Sequence, residues 1–430
     1  MVRSRSPALA MQRAECRLMH EFDVIVLGAG AAGLFCAGIA GQRGLSALLL
    51  DHAAQVAEKI RISGGGRCNF TNRDCGPGQF LSENPAFCRS ALARYTADDF
   101  TALVRRHGIA FHEKHRGQLF CDGPSEQIIA LLLAECQAGA VQRWQPCAVQ
   151  QVRQSSAGFE LDTVRGGVRA PQLVVATGGL SIPKIGASDF GHRLAAQFGH
   201  RVVEPRPGLV PLTFDAAAWT PFSVLAGVSL EVSIDAGAGK TRQRFIEDLL
   251  FTHRGLSGPA VLQASSYWRE GTPLRIDLAP GQDLAAALRQ GKAQSKRQLG
   301  NQLAQHLPQR LAEQWLRAQG LDPALPMPQA RDRDLAALAD SLHRWQVLPV
   351  GSEGWRKAEV TLGGVDTREL DGQSMESRRA SGLHFIGEVV DVTGWLGGYN
   401  FQWAWSSAAA CARALQPRRV ESVAAGGLSG

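Results

Sequence analysis

The residues with the clearest chemical meaning are Gly28-Ala29-Gly30-Ala31-Ala32-Gly33, which follow an apolar run at 22–27 and precede a small-residue segment with helical spacing at 34–40. Glycines so spaced between a strand and a helix make a pyrophosphate seat. Gly28 permits the tight turn, Gly30 lets phosphate approach the backbone, and Gly33 lets the helix lie against the strand. Unpaired N–H groups at the helix start, with Ala29 and Ala32 among the expected contacts, face the anion. A second apolar run at 47–50 ends at Asp51, 23 positions beyond Gly28, where an acid accepts hydrogen bonds from a ribose. Strand, turn, helix, strand and acid in register outweigh the alternative of a glycine turn without a ligand.

A second group of residues runs from Lys59 to Asn72 and contains Ser63-Gly64-Gly65-Gly66-Arg67-Cys68-Asn69. Three consecutive glycines do not persist in a helix or strand, so a loop is expected whose bare backbone approaches something flat or anionic. Lys59, Arg61 and Arg67 bring charge to it; Asn69, Thr71 and Asn72 bring hydrogen bonds. A flexible linker seldom sets such residues so densely beside its glycines. Farther on, a strand at 173–176 ends in Ala176-Thr177-Gly178-Gly179, and a short strand is expected around Val149. Both would bring backbone near the same dinucleotide.

The last such corner lies near the C-terminus: a strand at 383–386, Gly387-Glu388, Asp391, then Gly397-Gly398-Tyr399-Asn400 before a helix at 401–415. Two glycine corners suit a long, bent ligand, one holding pyrophosphate and the other a redox ring. NAD needs only the first corner. FAD needs a partner for its ribityl chain and for the pyrimidine edge of its ring, and a helix starting at 398–400 would aim its positive end at that edge. FAD is therefore the expected cofactor.

The elements that must position these residues follow from patterning. Pro205, Pro207 and Pro211 mark a boundary. The expected order is a disordered leader at 1–20, a Rossmann-like α/β domain at 21–207, a β-rich insert at 208–282, a helical insert at 283–348, the rest of the α/β domain at 349–416, and a disordered tail at 417–430. The leader carries Arg3, Arg5, Arg13 and Arg17 around an apolar patch too short for secretion, and Met19 is a possible alternative start. Segment 240–345 holds 15 Lys/Arg against 10 Asp/Glu and supplies most of the net charge of +7, compatible with an anionic partner or with ordinary solubilising charge.

Nine cysteines, an odd number with no CxxC pair, point to reduced thiols in the cytoplasm and away from a disulfide frame. His112, His115 and Cys121 lack a fourth partner in register, so no metal site is expected. No apolar run is long enough for a membrane span.

These same stretches, with residues 359–365, Met375-Glu376-Ser377 and the run from Gly397 through Ser407, resemble the HI0933-type flavoproteins, a bacterial branch of the two-dinucleotide-binding-domain flavoproteins. The resemblance implies a FAD-binding α/β domain interrupted by a β-barrel-like part and a small helical domain. It also implies an NAD(P)H-linked oxidoreductase, since relatives reduce activated carbon–carbon double bonds in steroid-like acids or in a uridine of ribosomal RNA. This chain departs from the family pattern at Ala57-Glu58, where Gly-Arg or Gly-Lys is common, and at Asp51, where Glu is more usual. It has no second GxGxxG, so NAD(P)H would dock transiently over the flavin.

The leading expectation is hydride transfer from flavin N5 to an unsaturated small molecule, with a protein acid completing the reduction. Arg67, Cys68 and Asn69 are the candidates for the flavin face or substrate rim; Cys68 is either the proton donor or a packed thiol. The alternatives are an RNA-modifying flavoenzyme making dihydrouridine in ribosomal RNA, and a flavin-bearing redox sensor without turnover.

Overall fold

The computed structural model describes residues 19–418 except 238, 240 and 241. The expected leader up to residue 18 and the expected tail from 419 lie outside the described residues. Met19–Glu21 is a strand pairing in parallel with Gly166–Ala170, so backbone pairing begins inside the stretch expected as leader.

Val24–Leu27 and Ala47–Leu50 are wholly apolar and wholly buried, the pattern of parallel strands covered on both faces. They form the centre of a five-stranded parallel sheet in the order Leu383–Phe385, Gln172–Val175, Val24–Leu27, Ala47–Leu50, Gln142–Trp144. Helix Ala31–Gln42 packs against helices Glu126–Ala138 and Tyr399–Ala414. The close approach to the former depends on Gly41, where a Cβ would lie 2.2 Å from the Gly139 carbonyl oxygen. A four-stranded sheet that includes Val149–Ser155, Gly158–Thr163 and Gly166–Ala170 flanks the main one.

Residues 85–107, whose apolar spacing reads as helical, form two helices, Cys88–Arg94 and Ala97–Arg106. Thr96 and Asp99 form a reciprocal capping box that starts the second, with Asp99 accepting from the Thr96 N–H at 2.7 Å.

After Val202–Gly208 the chain enters a second hydrophobic core, built on a seven-stranded antiparallel sheet and the helices between residues 284 and 343. It returns as Val360–Val365, which pairs antiparallel with Val202–Gly208. Trp395 is partly buried against both cores.

Candidate functional site

At the first corner the three glycines serve different masters. Gly28 has φ +105° and a Cβ there would lie 2.4 Å from the Ala176 carbonyl oxygen; at Gly33 a Cβ would lie 1.8 Å from the Gly28 carbonyl oxygen. The chain's own packing requires both. A Cβ at Gly30 meets nothing within 4 Å, so the space beside it belongs to no part of the described chain. Helix Ala31–Gln42 starts at Gly30 without a side-chain cap or an acidic first turn, leaving its N–H groups for an anion. Asp51 braces the turn: its carboxylate accepts from the Ala29 N–H at 2.6 Å and the Ala53 N–H at 2.7 Å. Val149, half-buried, begins its strand two residues after Cys147, whose N–H donates to the Asp51 carbonyl at 2.6 Å.

The segment expected as a loop is more ordered than its composition suggests. Glu58–Ile62 is a short helix, Gly64, Gly65 and Gly66 are left-handed at φ +57°, +66° and +84°, and Asn69–Asn72 is a buried strand. Gly64 is crowded by Phe120, whereas Gly65 and Gly66 border open space. The order comes from partners far along the chain. The Asn69 amide fits with its nitrogen towards the Leu119 and Thr71 carbonyls and its oxygen accepting from the Gly398 N–H at 3.1 Å. Thr71 Oγ1 donates to Gln402 Oε1 at 2.6 Å, and Asn72 Nδ2 donates to the Gly397 carbonyl at 3.0 Å. Gly398, at φ +95°, starts helix Tyr399–Ala414, and a Cβ there would lie 2.4 Å from the Thr71 carbonyl. Asn400 closes the preceding turn through Gly394 N–H and C=O at 2.8 and 2.9 Å. This helix, too, begins with no side-chain cap and no acidic first turn.

The Arg67 side chain is exposed and has no hydrogen bond or ion pair among the described residues. Cys68 is not at the rim: it is 0% exposed, and burial pushes its thiol well up, although a hydrogen bond from Ser63 opposes this. Of the two expectations for Cys68, its burial favours the packed thiol: a backbone φ of +46° folds the side chain inwards. Asn69, also proposed for the rim, is buried and committed to the bonds above.

Lys59 joins the corners. Its Nζ donates to Glu388 Oε2 at 2.6 Å and to Ser181 Oγ at 2.7 Å, while Glu388 Oε1 accepts from the Thr361 N–H at 2.8 Å. Thr361 Oγ1 accepts from the Leu180 N–H at 2.8 Å, and Gly179 leaves the room for it. Gly387 is held by Ser407 Oγ, which accepts its N–H at 3.0 Å, and by Trp403 Nε1, which donates to its carbonyl at 3.0 Å. Asp391 accepts from the Glu83 N–H at 2.8 Å, and burial raises its carboxyl. Ala176 donates to the Leu27 carbonyl at 2.8 Å, and Gly178 has φ +72°. The Thr177 hydroxyl turns instead towards helix Phe190–Gln197, where a Cβ at Gly191 would lie 2.1 Å from it.

Sequence reasoning passed over Ser181, Thr361 and Gln402. Their signal was weak: polar residues within apolar or glycine-rich stretches, whose burial makes sense only once their partners are known. It gave no role to Glu359 either, whose carboxyl is raised by desolvation against the opposing charge of Lys59. Among the described residues no group of three or more His, Cys, Asp or Glu is placed to hold a metal, and no helix is long and apolar enough to cross a membrane.

Gly28, Asp51, Ala176 and Gly387 all follow the carboxyl ends of parallel strands in one sheet, where open α/β sheets bind ligands. The space beside Gly30, Gly65 and Gly66 and the two bare helix starts fit a cofactor with a pyrophosphate at one end and a polar ring edge at the other. The fold is a mixed α/β, Rossmann-like, FAD-binding one, and the class of protein it defines is the flavoprotein oxidoreductase. A family model described as the HI0933-like protein Rossmann domain matches residues 22–414, and the chain belongs to the HI0933-like family.

The chain is 52% identical over 398 residues to the ribosomal RNA dihydrouridine synthase of Escherichia coli (strain K12), covering 92% of this chain and 98% of that protein. It is 46% identical to the protein of the same name from Haemophilus influenzae (strain ATCC 51907 / DSM 11121 / KW20 / Rd), covering 91% and 98%. A 3-dehydro-bile acid delta(4,6)-reductase of Clostridium scindens (strain ATCC 35704 / DSM 5676 / VPI 13733 / 19) is 26% identical, covering 91% and 98%.

Proposed function

We propose that this flavoprotein reduces a uridine of ribosomal RNA to dihydrouridine in the cytoplasm, with NAD(P)H as the transient source of electrons. The observation that supports this reading above a small-molecule substrate is the near full-length likeness to two ribosomal RNA dihydrouridine synthases, about twice the identity shared with the bile-acid reductase. When bound, FAD supplies hydride transfer to the activated double bond.

The chain's own part is to bind and orient. The N–H groups at Gly30 to Gly33 take the pyrophosphate, with Ala29 and Ala32 beside it, and Asp51 and the backbone near Val149 take the adenosine half. Lys59, Ser63 to Arg67, the 176–179 turn and Glu388 line the middle. The start of helix Tyr399–Ala414, held by Asn69, Thr71 and Asn400, presents its positive end to the ring and favours negative charge there. Arg67, exposed at the rim, faces the substrate side.

The test is total ribosomal RNA from a strain lacking the protein, digested and analysed for dihydrouridine by mass spectrometry, and then treated with purified holoenzyme and NADPH. Loss of one dihydrouridine in the strain and its restoration in vitro support the reading. Unchanged dihydrouridine content, with turnover of an enone acceptor instead, favours the small-molecule reductase.

A further inference from the structure

Arg206 lies on strand Val202–Gly208, opposite Leu362 and next to the register shift that separates it from Val203. Pro205 and Pro207 flank it, restricting the backbone on both sides. The side chain is half-buried and makes no hydrogen bond or ion pair among the described residues. That is unusual company for a guanidinium, which retains its charge and is costly to bury unpaired.

Burial is the main influence disfavouring the Arg206 charge, and Arg269 is the second; Glu204 and Asp391 offset them weakly. Asp391 is already committed to the Glu83 N–H and to Ser82. Arg269 comes just after helix Pro259–Tyr267, which is fastened to the end of the Arg206 strand: the Leu209 N–H donates to Ser266 Oγ at 3.3 Å and the Val210 N–H to Ser265 Oγ at 3.0 Å. Arg269 is exposed and spends its guanidinium only on the Trp268 carbonyl, at 3.2 Å. Arg201, by contrast, lies between the carboxylates of Glu83 and Asp366.

Arg269 follows Tyr267, part of an aromatic junction, by two residues. Trp395 Nε1 donates to the Tyr267 hydroxyl at 2.7 Å, and Trp395 stands in the turn between Gly394 and Gly397 that leads into helix Tyr399–Ala414. Two neighbouring guanidinium groups without a carboxylate partner suit a phosphate, which accepts from both and cancels their repulsion. Phosphate on the arginines and a base against nearby aromatic rings is how single-stranded RNA is commonly held.

We propose that Arg206 and Arg269 form a phosphate seat that grips the RNA backbone beside the uridine to be reduced. This rests on the RNA reading above and adds to it the place where the strand crosses the junction of the two cores.

The experiment titrates holoenzyme into a fluorescein-labelled, uridine-containing, single-stranded oligoribonucleotide by anisotropy, across 50–300 mM KCl (~a sixfold range). The proteins compared are wild type, Arg206→Gln, Arg269→Gln, the double variant, Arg206→Lys, and Arg289→Gln as a control on an exposed face of the helical insert. Each Gln variant is expected to lower the slope of log K against log salt by about 0.7, and the double variant by about 1.4. Arg206→Lys restores the slope, Arg289→Gln keeps it, and flavin absorbance and the KM for NADPH stay at wild-type values.

An unchanged slope in the double variant overturns the seat. So does a change confined to the KM for NADPH, which would assign the arginines to the nicotinamide dinucleotide, and so does a wild type with no salt-dependent RNA binding. Dihydrouridine formation is scored separately: wild type that binds RNA through these arginines but forms none would refute the uridine reading while leaving the seat standing.

Discussion

Asn72 and Gly397, 325 residues apart in the chain, are joined by a hydrogen bond of 3.0 Å from the Asn72 side-chain amide to the Gly397 carbonyl. The same amide nitrogen donates to the Arg116 carbonyl at 3.0 Å, and its oxygen accepts from the Asp74 N–H at 2.9 Å. One buried side chain thereby sets the glycine-rich segment against the start of the last helix. Asn72→Ala leaves these backbone groups without their partner and should cost about 1–3 kcal/mol, read as a lower midpoint in urea unfolding. Flavin content after purification should fall with it; full stability together with full flavin would remove Asn72 from this role.

Lys59 spans the same gap by charge. Lys59→Met leaves Glu388, whose side chain is 19% exposed, with only the Thr361 N–H as a strong donor. Because Lys59 itself is partly solvated, the stability loss should be modest, about 1 kcal/mol, and should shrink in high salt. Thermal melts at low and high KCl check both parts of this.

Acid should loosen the protein partly through His192. Its ring is buried, Nε2 has no partner among the described residues, and burial lowers its pKa below the ordinary 6.5. The unfolded chain therefore binds a proton that the folded chain refuses. The neutral ring's contribution is complete above pH 6.5 and is lost as the pH falls through the unfolded value. His192→Gln should flatten the dependence of unfolding free energy on pH by up to one proton in that window; an unaltered slope would contradict it.

Cys68→Ala tests whether this thiol takes part in proton transfer. With the side chain wholly buried, reduction of the acceptor should proceed within about twofold of wild type, apart from a packing cost near 1 kcal/mol. Loss of acceptor reduction with flavin still bound and the fold intact would restore Cys68 as the donor.

Much of the sheet was legible because its strands are short apolar runs ended by glycine or an acid, and that pattern survives in one dimension. Gly28 to Asp51 reads this way. The side-chain directions were not legible. Cys68 turns inwards because of a positive φ that its sequence neighbours only hint at, and Asn69 is consumed by the Gly398 N–H. Lys59 was singled out as a charge, but Ser181 and Thr361, which complete its cluster, come from distant segments with no local mark. The helical stretch at 85–107 divides at Tyr95-Thr96 because Thr96 and Asp99 make a better helix start than an interior turn.

The central claim is that the opening beside Gly30 belongs to the FAD pyrophosphate, and absorbance at 450 nm (~the flavin band) of purified Gly30→Val measures it most directly. Since a Cβ there meets nothing within 4 Å, the variant should fold, with a circular-dichroism melt near that of wild type, and yet lose its bound flavin. Gly33→Val, whose Cβ would lie 1.8 Å from the Gly28 carbonyl oxygen, should fail to fold and serves as the contrast. A folded Gly30→Val protein that keeps a full complement of FAD would contradict the account.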